Sequence, residues 1–425
     1  MAERFVINGG KKLEGEIEAR GAKNAAFPLL AASLLTSKKC VIGNVPLIED
    51  VFRMIEILKS VGAEVSWTGE REVTVRAAEI DSLKIDDKLV KRLRGSVLVL
   101  GSLLARCGKA RLPRPGGCVI GVRPIDTHLN AFSQLGVDIS YEGDHYGFKA
   151  GKTAESAVIL DEFSVTGTEN MMLFAALQPQ KTVIRAADAD YQVQELAAFL
   201  RKMGVGVKIY PDRTITVEGK NKLDGVEHKL MYDPIEAGTF ILTAAAVPGN
   251  VTVKNVALDY LGLFLKKLLD AGLPLEITAK QKMRGTVSIS PCKTMRIDKI
   301  QSLPYPGIHS DLLSAFGVLA TQTAGSTLIH DPLYEGRLKY LGELNKMGAD
   351  IIFCDPHRAI INGPSQLIGQ ELDSTDLRGG AALIIAGLAA KGQTTISNIY
   401  QIDRGYEKIE ERLRGIGADI QRVQN

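Results

Sequence analysis

Apolar and polar positions along the chain recur on a scale much longer than one helix. Six segments read as an amphipathic helix that ends in glycine and runs into a short β-prone stretch: FRMIEILKSVGAEV, THLNAFSQLGVDI, QELAAFLRKMGVGV, LFLKKLLDAGLPLEI, RLKYLGELNKMGADI and KIEERLRGIGADI. Their glycines, Gly62, Gly136, Gly204, Gly272, Gly348 and Gly417, are spaced 74, 68, 68, 76 and 69 residues apart, an internal repeat. Glycine at that point suits a helix C-terminus that needs a left-handed residue.

A second helix precedes each of these and is apolar nearly all round: AAFPLLAASLL, VLVLGSLLARC, NMMLFAALQ, GTFILTAAAV, DLLSAFGVLA and GGAALIIAGLAA. Such a helix is expected to be buried on every side, and the amphipathic one to lie at the surface. Between the two lies a strand such as CVIGNV, TVIRAA, VTVKNV, TLIHDP or TTISNI, and after the amphipathic helix come two strands joined by a turn. The unit is β-α-β-α-β-β and the fold class α/β. The sixth unit runs out of chain before its last strand, which earlier reads TITVEG (214–219) or RAIING (358–363); RFVING (4–9) matches it. Residues 1 to about 20 are therefore expected to complete the sixth unit. Units one to three would form a domain of residues 21–231, and units four to six, with the N-terminus, a domain of 1–20 plus 232–425. Crossings near Lys23 and Tyr232 would make a hinge of two adjacent strands, permitting closure around a cleft.

Composition narrows the class. Of 425 residues, 45% are hydrophobic and 24% charged, with a net charge of +3. That excludes a disordered or coiled-coil chain and argues against a nucleic-acid binder. No run approaches a membrane span; the best, Ala25–Leu35, is broken by Pro28 and Ser33, and MAERFVINGG has no apolar signal core. Cys40, Cys107, Cys118, Cys292 and Cys354 show no paired spacing, so reduced thiols in a cytoplasm are expected, with no zinc site.

Certain charges fall at equivalent places. Lys23 precedes the buried helix of unit one, Arg94 and Arg378 enter those of units two and six, and Arg123, Arg337 and Arg404 sit at the starts of the amphipathic helices of units two, five and six. A cation at a helix N-terminus is locally disfavoured. One such arginine is ordinarily a solvated surface group; six at matching positions point to a strongly anionic ligand. Asp311 begins the buried helix of unit five, as a helix cap or as a base facing that cationic site. Cys118 lies in RLPRPGGCVIGVRP, a glycine- and proline-rich loop with Arg114 and Arg123 nearby. Its thiol is expected to be the reactive one, while Cys40, Cys107 and Cys354 suit buried structural positions.

GAKNAAFPLLAA, PGGCVIGVRPIDTHL, IEAGTF, TDLRGGAALIIAG and IYQIDRGYEKIEERL resemble the UDP-N-acetylglucosamine enolpyruvyl transferases over the whole chain. The resemblance implies the inside-out α/β barrel shared with 5-enolpyruvylshikimate-3-phosphate synthases, with two domains of three units each. It implies transfer of the enolpyruvyl group of phosphoenolpyruvate to the 3-hydroxyl of UDP-N-acetylglucosamine, the first committed step of peptidoglycan synthesis, with no cofactor and no metal. Lys23, Arg123 and Arg404 would hold the phosphoenolpyruvate phosphate, Arg337 and Arg378 its carboxylate, and Arg94 would support the closed site. Asn24 and Asp311 would contact the sugar, with Asp311 taking the hydroxyl proton, and Leu333 would be a further substrate contact. Arg123, Pro124, Ile125, Asp126 and Thr127, with Phe163, Ser164, Val165 and Thr166, would bind the uridine and diphosphate. Cys118 would serve proton delivery or product release and be the target of fosfomycin, an epoxide that mimics phosphoenolpyruvate. A monomer or weak homo-oligomer is expected.

The chain departs from the family's usual PYPGFPTD at PYPGIHSD (304–311), from an acidic-proline segment at ADADYQVQE (187–195), from DRIEAGT at DPIEAGT (233–239), and from a common lysine at Glu162. These positions lie on the nucleotide-sugar side. They keep open an enolpyruvyl transferase acting on another uridine nucleotide and, from a different class, a non-catalytic nucleotide-sugar-binding paralogue. A shikimate-phosphate synthase fits less well, because the Cys118 loop is foreign to it. A ring-shaped clamp would spread its charge over one surface.

Overall fold

The structure, a computed structural model, describes residues 3–116, 120–121, 124–151, 156–281, 284–292 and 294–424. These residues form two compact units, one of residues 3–20, 120–121 and 232–424, the other of 21–116 and 124–231.

In the unit that carries both chain ends, three helices, Pro234–Ala246, Ser310–Ala320 and Leu377–Ala389, pack on one another and are buried almost throughout. Helices with no polar face can lie only inside. Three four-stranded sheets cover them, each turning alternate residues inward, as in Gln393–Ser397 and Arg358–Gly363. The other unit repeats the plan around Lys23–Ala32, Val99–Cys107 and Val165–Ala175, of which Val99–Cys107 packs on both others. It has two four-stranded sheets and one of three strands. The amphipathic helices, such as Glu49–Ser60 and Tyr191–Lys202, bury one face only. All six repeat glycines adopt positive φ, from 78° at Gly136 to 101° at Gly62, which a side chain would strain.

The N-terminus is shared between two sheets. Glu3–Asn8 pairs antiparallel with Gln393–Ser397 and with Ile420–Gln424, so it lies in the sheet of the sixth unit. Leu13–Glu18 does not: it pairs parallel with Gly249–Val256, in the sheet of the fourth unit. The expectation that residues 1 to 20 all complete the sixth unit is corrected here. The fourth unit needs a first strand parallel to Gly249–Val256, and the residues just before its core helix are used elsewhere: Glu227–Lys229 pairs parallel with Cys40–Gly43 of the first unit. Unit two has no such first strand among the described residues. The chain before its core helix folds instead into the short helix Asp87–Val90, capped by the Asp86 carboxylate.

Candidate active site

In the unit of residues 232–424, the helix Ser310–Ala320 presents Asp311 at its second position. The cap is His309, whose Nδ1 accepts the Asp311 N–H at 3.0 Å. Asp311 is therefore no cap, and its carboxylate binds side chains. Oδ1 accepts from Arg337 Nη2 at 2.8 Å, and Oδ2 from Arg378 Nε at 3.0 Å. Two arginines far apart in sequence thus meet on one carboxylate.

Arg337 is buried in a ring of acids. Asp331 and Asp376 lie 3.7 and 4.0 Å from its guanidinium, and its Nε donates to Ser310 Oγ at 3.1 Å. Burial works against this cation, but Asp311, Asp376 and Asp331 outweigh it, so Arg337 holds its proton more firmly than usual. Asp331 also accepts from Ser302 Oγ and Ser310 Oγ and from the backbone N–H of Leu333 and Tyr334, so every acceptor around Arg337 is itself held. Leu333 is left half-exposed.

Arg378 is the second residue of its helix, whose cap Asp376 accepts from the N–H groups of Arg378 and Gly379 at 3.0 Å each. The residue is 4% exposed, with Cζ 5.1 Å from the centre of the Tyr406 ring. Nη1 and Nη2 are buried without an acceptor in good geometry. Burial disfavours the Arg378 cation, but Tyr406, Asp311 and Asp233 reverse that and hold it charged. Arg404 is buried too, donating to Gln401 Oε1 at 3.0 Å. It does not begin a helix as expected. It follows the single turn Tyr400–Asp403, at the end where the helix dipole favours a cation.

In the other unit, Lys23 is the first residue of its buried helix and pairs with the buried Asp50 at 2.9 Å, with half-buried Asn24 beside it in sequence. The segments 124–127 and 163–166 come together: Thr127 Oγ1 donates to Glu162 Oε1 at 3.1 Å, and Asn130 Nδ2 to Asp161 Oδ2 at 2.8 Å. Ile125 is buried, anchoring the turn into the helix Asp126–Gln134. Arg94 Nη2 holds the Pro124 carbonyl at 2.7 Å. Ser164 caps the helix Val165–Ala175 through the Gly167 N–H, and Phe163 stands half-exposed with the Arg213 guanidinium 4.6 Å from its ring centre. Cys118 and Arg123 lie outside the described residues. Of the thiols expected to be buried, Cys40 is, and burial raises its pKa; Cys107 is half-buried, and Cys354 is exposed because it falls on an outward position of Asp350–Asp355.

Several buried polar groups escaped the sequence reading. His128 and Asn170 hydrogen-bond beneath the 163–166 segment. Glu169 is wholly buried with no hydrogen-bond partner; burial, then Asp188 and Asp190, push its pKa far above the carboxylate range. Asp188 is raised to about 6, by burial and then by Asp190. His128 follows the predicted Thr127 and Asp188 lies in the unusual 187–195 segment, while Glu169 and Asn170, a helical turn beyond Thr166, carried no signal of their own. Among the described residues no cluster of His, Cys, Asp and Glu is arranged to hold a metal ion, and no helix is long and apolar enough to cross a membrane.

Comparison with known proteins bears on the chemistry. Residues 7–413 match the EPSP synthase (3-phosphoshikimate 1-carboxyvinyltransferase) family. The UDP-N-acetylglucosamine 1-carboxyvinyltransferase 2 of Carboxydothermus hydrogenoformans is 41% identical over 421 residues, 99% of each chain. The UDP-N-acetylglucosamine 1-carboxyvinyltransferase of Treponema denticola is 39% identical over 98% of each. Among solved structures, the enolpyruvyl transferase NikO from Streptomyces tendae superposes with a TM-score of 0.88 at 24% identity, covering 100% of this chain and 99% of that one. An EPSP synthase from Acinetobacter baumannii does so at 0.79 and 16%, covering all of both.

Proposed function

We infer that this chain, which belongs to the UDP-N-acetylglucosamine 1-carboxyvinyltransferases within the EPSP synthase family, transfers the enolpyruvyl group of phosphoenolpyruvate to the 3-hydroxyl of UDP-N-acetylglucosamine and releases phosphate. The observation that supports it most is Arg378: a buried guanidinium whose Nη1 and Nη2 meet no acceptor in good geometry, beside Tyr406 and on the same carboxylate as Arg337. A buried cation with unfilled donors calls for an anion, and a carboxylate suits the planar arginine fork. The Streptomyces tendae enzyme shares the fold, and fold alone does not name an acceptor.

The chemistry follows from charge. A proton added to the vinyl CH2 carbon leaves the adjacent carbon electron-poor. The sugar 3-oxygen bonds to that carbon as its own proton leaves. The adduct then gives up one proton of its new methyl group to a base or to water as the carbon–oxygen bond to phosphate breaks and its electrons leave with the phosphate, restoring the double bond. Fixed cations stabilise the phosphate and carboxylate throughout, at no cost in reorganisation. In our assignment Lys23, Arg123 and Arg404 take the phosphate, Arg337 and Arg378 the carboxylate, and Asp311 the hydroxyl proton. Cys118 supplies the vinyl proton or assists product release.

Asp311 is clamped by both arginines, which place one N–H on each of its oxygens. A substrate carboxylate that docks on Arg378 Nη1 and Nη2 competes with Asp311 for the two guanidiniums and loosens that clamp. Phosphoenolpyruvate thus readies its own proton acceptor. The test is phosphate release with phosphoenolpyruvate and a panel of uridine nucleotides. Release specific to UDP-N-acetylglucosamine is expected; equal or faster release with a different nucleotide overturns the acceptor assignment.

A further inference from the structure

A chain of buried hydrogen bonds runs beneath the 163–166 segment. The Gly101 N–H donates to Asn170 Oδ1 at 2.8 Å. A backbone N–H needs an acceptor, so this bond fixes which way the amide faces. Its NH2 group then donates to Val97 O and to His128 Nδ1, both at 2.9 Å. Nδ1 is therefore an acceptor, and the ring proton sits on Nε2, which lies 3.1 Å from Thr166 Oγ1. Asn170 is wholly buried and His128 nearly so, leaving no water to compete. Burial, then the charge of Arg94, pushes the His128 pKa down to about 3, so the ring stays neutral at working pH.

A hydroxyl that accepts from Nε2–H has its own hydrogen left to give. Thr168, two residues on, spends its hydrogen on the carbonyl one turn back, Ser164 O, at 2.8 Å; among the described residues Thr166 has no such bond. We propose that His128 and Asn170 are positioning residues that hold the half-buried Thr166 hydroxyl as a donor to an oxygen of the acceptor's uridine diphosphate. The proposal rests on the reading of 124–127 and 163–166 as the nucleotide-binding segments.

Two measurements test it. 15N NMR of the imidazole, assigned with His128→Gln, reads the tautomer directly: a neutral Nε2–H ring from about pH 5 to about pH 8 is expected, and an Nδ1–H or cationic ring overturns the proposal. A double-mutant cycle reads the coupling. Thr166→Val and His128→Ala should each weaken UDP-N-acetylglucosamine binding roughly tenfold, as for one lost hydrogen bond to a charged group, with the KM for phosphoenolpyruvate within about twofold. The double variant should bind no more than about twofold worse than Thr166→Val, because His128 acts through that hydroxyl. His128→Gln, which keeps an N–H donor, should restore most of the binding. Independent, additive losses overturn the proposal. If His128→Ala does not fold, His128→Gln takes its place: loss of binding equal to that of Thr166→Val, despite the retained donor, counts against it. A wild-type enzyme that releases no phosphate with UDP-N-acetylglucosamine sinks the functional reading, while the tautomer still decides the His128 geometry.

Discussion

At the scale of single residues, Arg337, Arg378 and Asp311 are charges whose partners are themselves charged. Arg378 shows what that implies. Losing a charge-assisted bond to a buried anion costs about 1.5–3 kcal/mol, so Arg378→Ala should raise the KM for phosphoenolpyruvate at least about tenfold. Arg378→Lys, a cation without the fork, should recover only part of that; steady-state kinetics at varied phosphoenolpyruvate checks both. Asp188 gives a pH-dependent counterpart. Its pKa is raised from 3.8 to about 6 by burial, so the folded state holds its proton more tightly than the unfolded chain. That contribution to stability is complete below about pH 4, falls as pH rises through about 6, and is lost above. Asp188→Asn keeps the Oδ1 that accepts the Asp190 N–H and removes the ionisation. The variant should be the more stable above pH 6, by at most about 3 kcal/mol, and the gap should close toward pH 4 in thermal melts. Arg337 and Arg378 stood out in the sequence because a cation at a helix start conflicts with helix preference, but nothing local said that they meet on Asp311. Asp331, Asp376 and Asp50 did not stand out, since an acid early in a helix or loop is what local preference produces anyway.

At the scale of elements, burial of the core helices was written in their composition, while their closest approaches were not. Gly317 shows why. A methyl group there would overlap the hydroxyl of Tyr340, a fully buried ring three residues after Arg337. Gly317→Ala should cost about 1–3 kcal/mol by overpacking and, by displacing the Arg337 turn, raise the KM for phosphoenolpyruvate. A melting temperature and KM equal to wild type would show that the close approach at Gly317 does not hold the Arg337 turn. Helix and strand periodicity also marked every repeat but could not assign partners. Leu13–Glu18 has the pattern of a strand, and the sheet it joins depends on which other strand lacks a parallel neighbour.

At the scale of the whole molecule, the strand Glu3–Asn8 links the two ends of the chain. It contributes the fully buried Phe5 and Ile7 and lies between strands from residues 393–397 and 420–424. Glu3 also pairs with Arg422 at 2.8 Å. Removing residues 1–8 should strip amide-exchange protection from both neighbouring strands, since each loses a hydrogen-bonded partner. Protection in Lys181–Arg185 and Ile215–Glu218, whose sheet does not contain that strand, should persist. Retained protection at 393–397 would refute this role. The sequence by itself determined the six repeats, the buried and surface helices, the missing last strand and the family of the site, because each is carried by local periodicity or by a contiguous motif. Only the tertiary structure decided that Asp311 is shared by Arg337 and Arg378, that His309 caps its helix, that residues 13–18 and 227–229 serve as first strands beside the inter-helix strands of other repeats, and that Asn170 meets His128. Each depends on groups distant in sequence meeting at hydrogen-bonding range, and their geometry comes from packing the helices and sheets together.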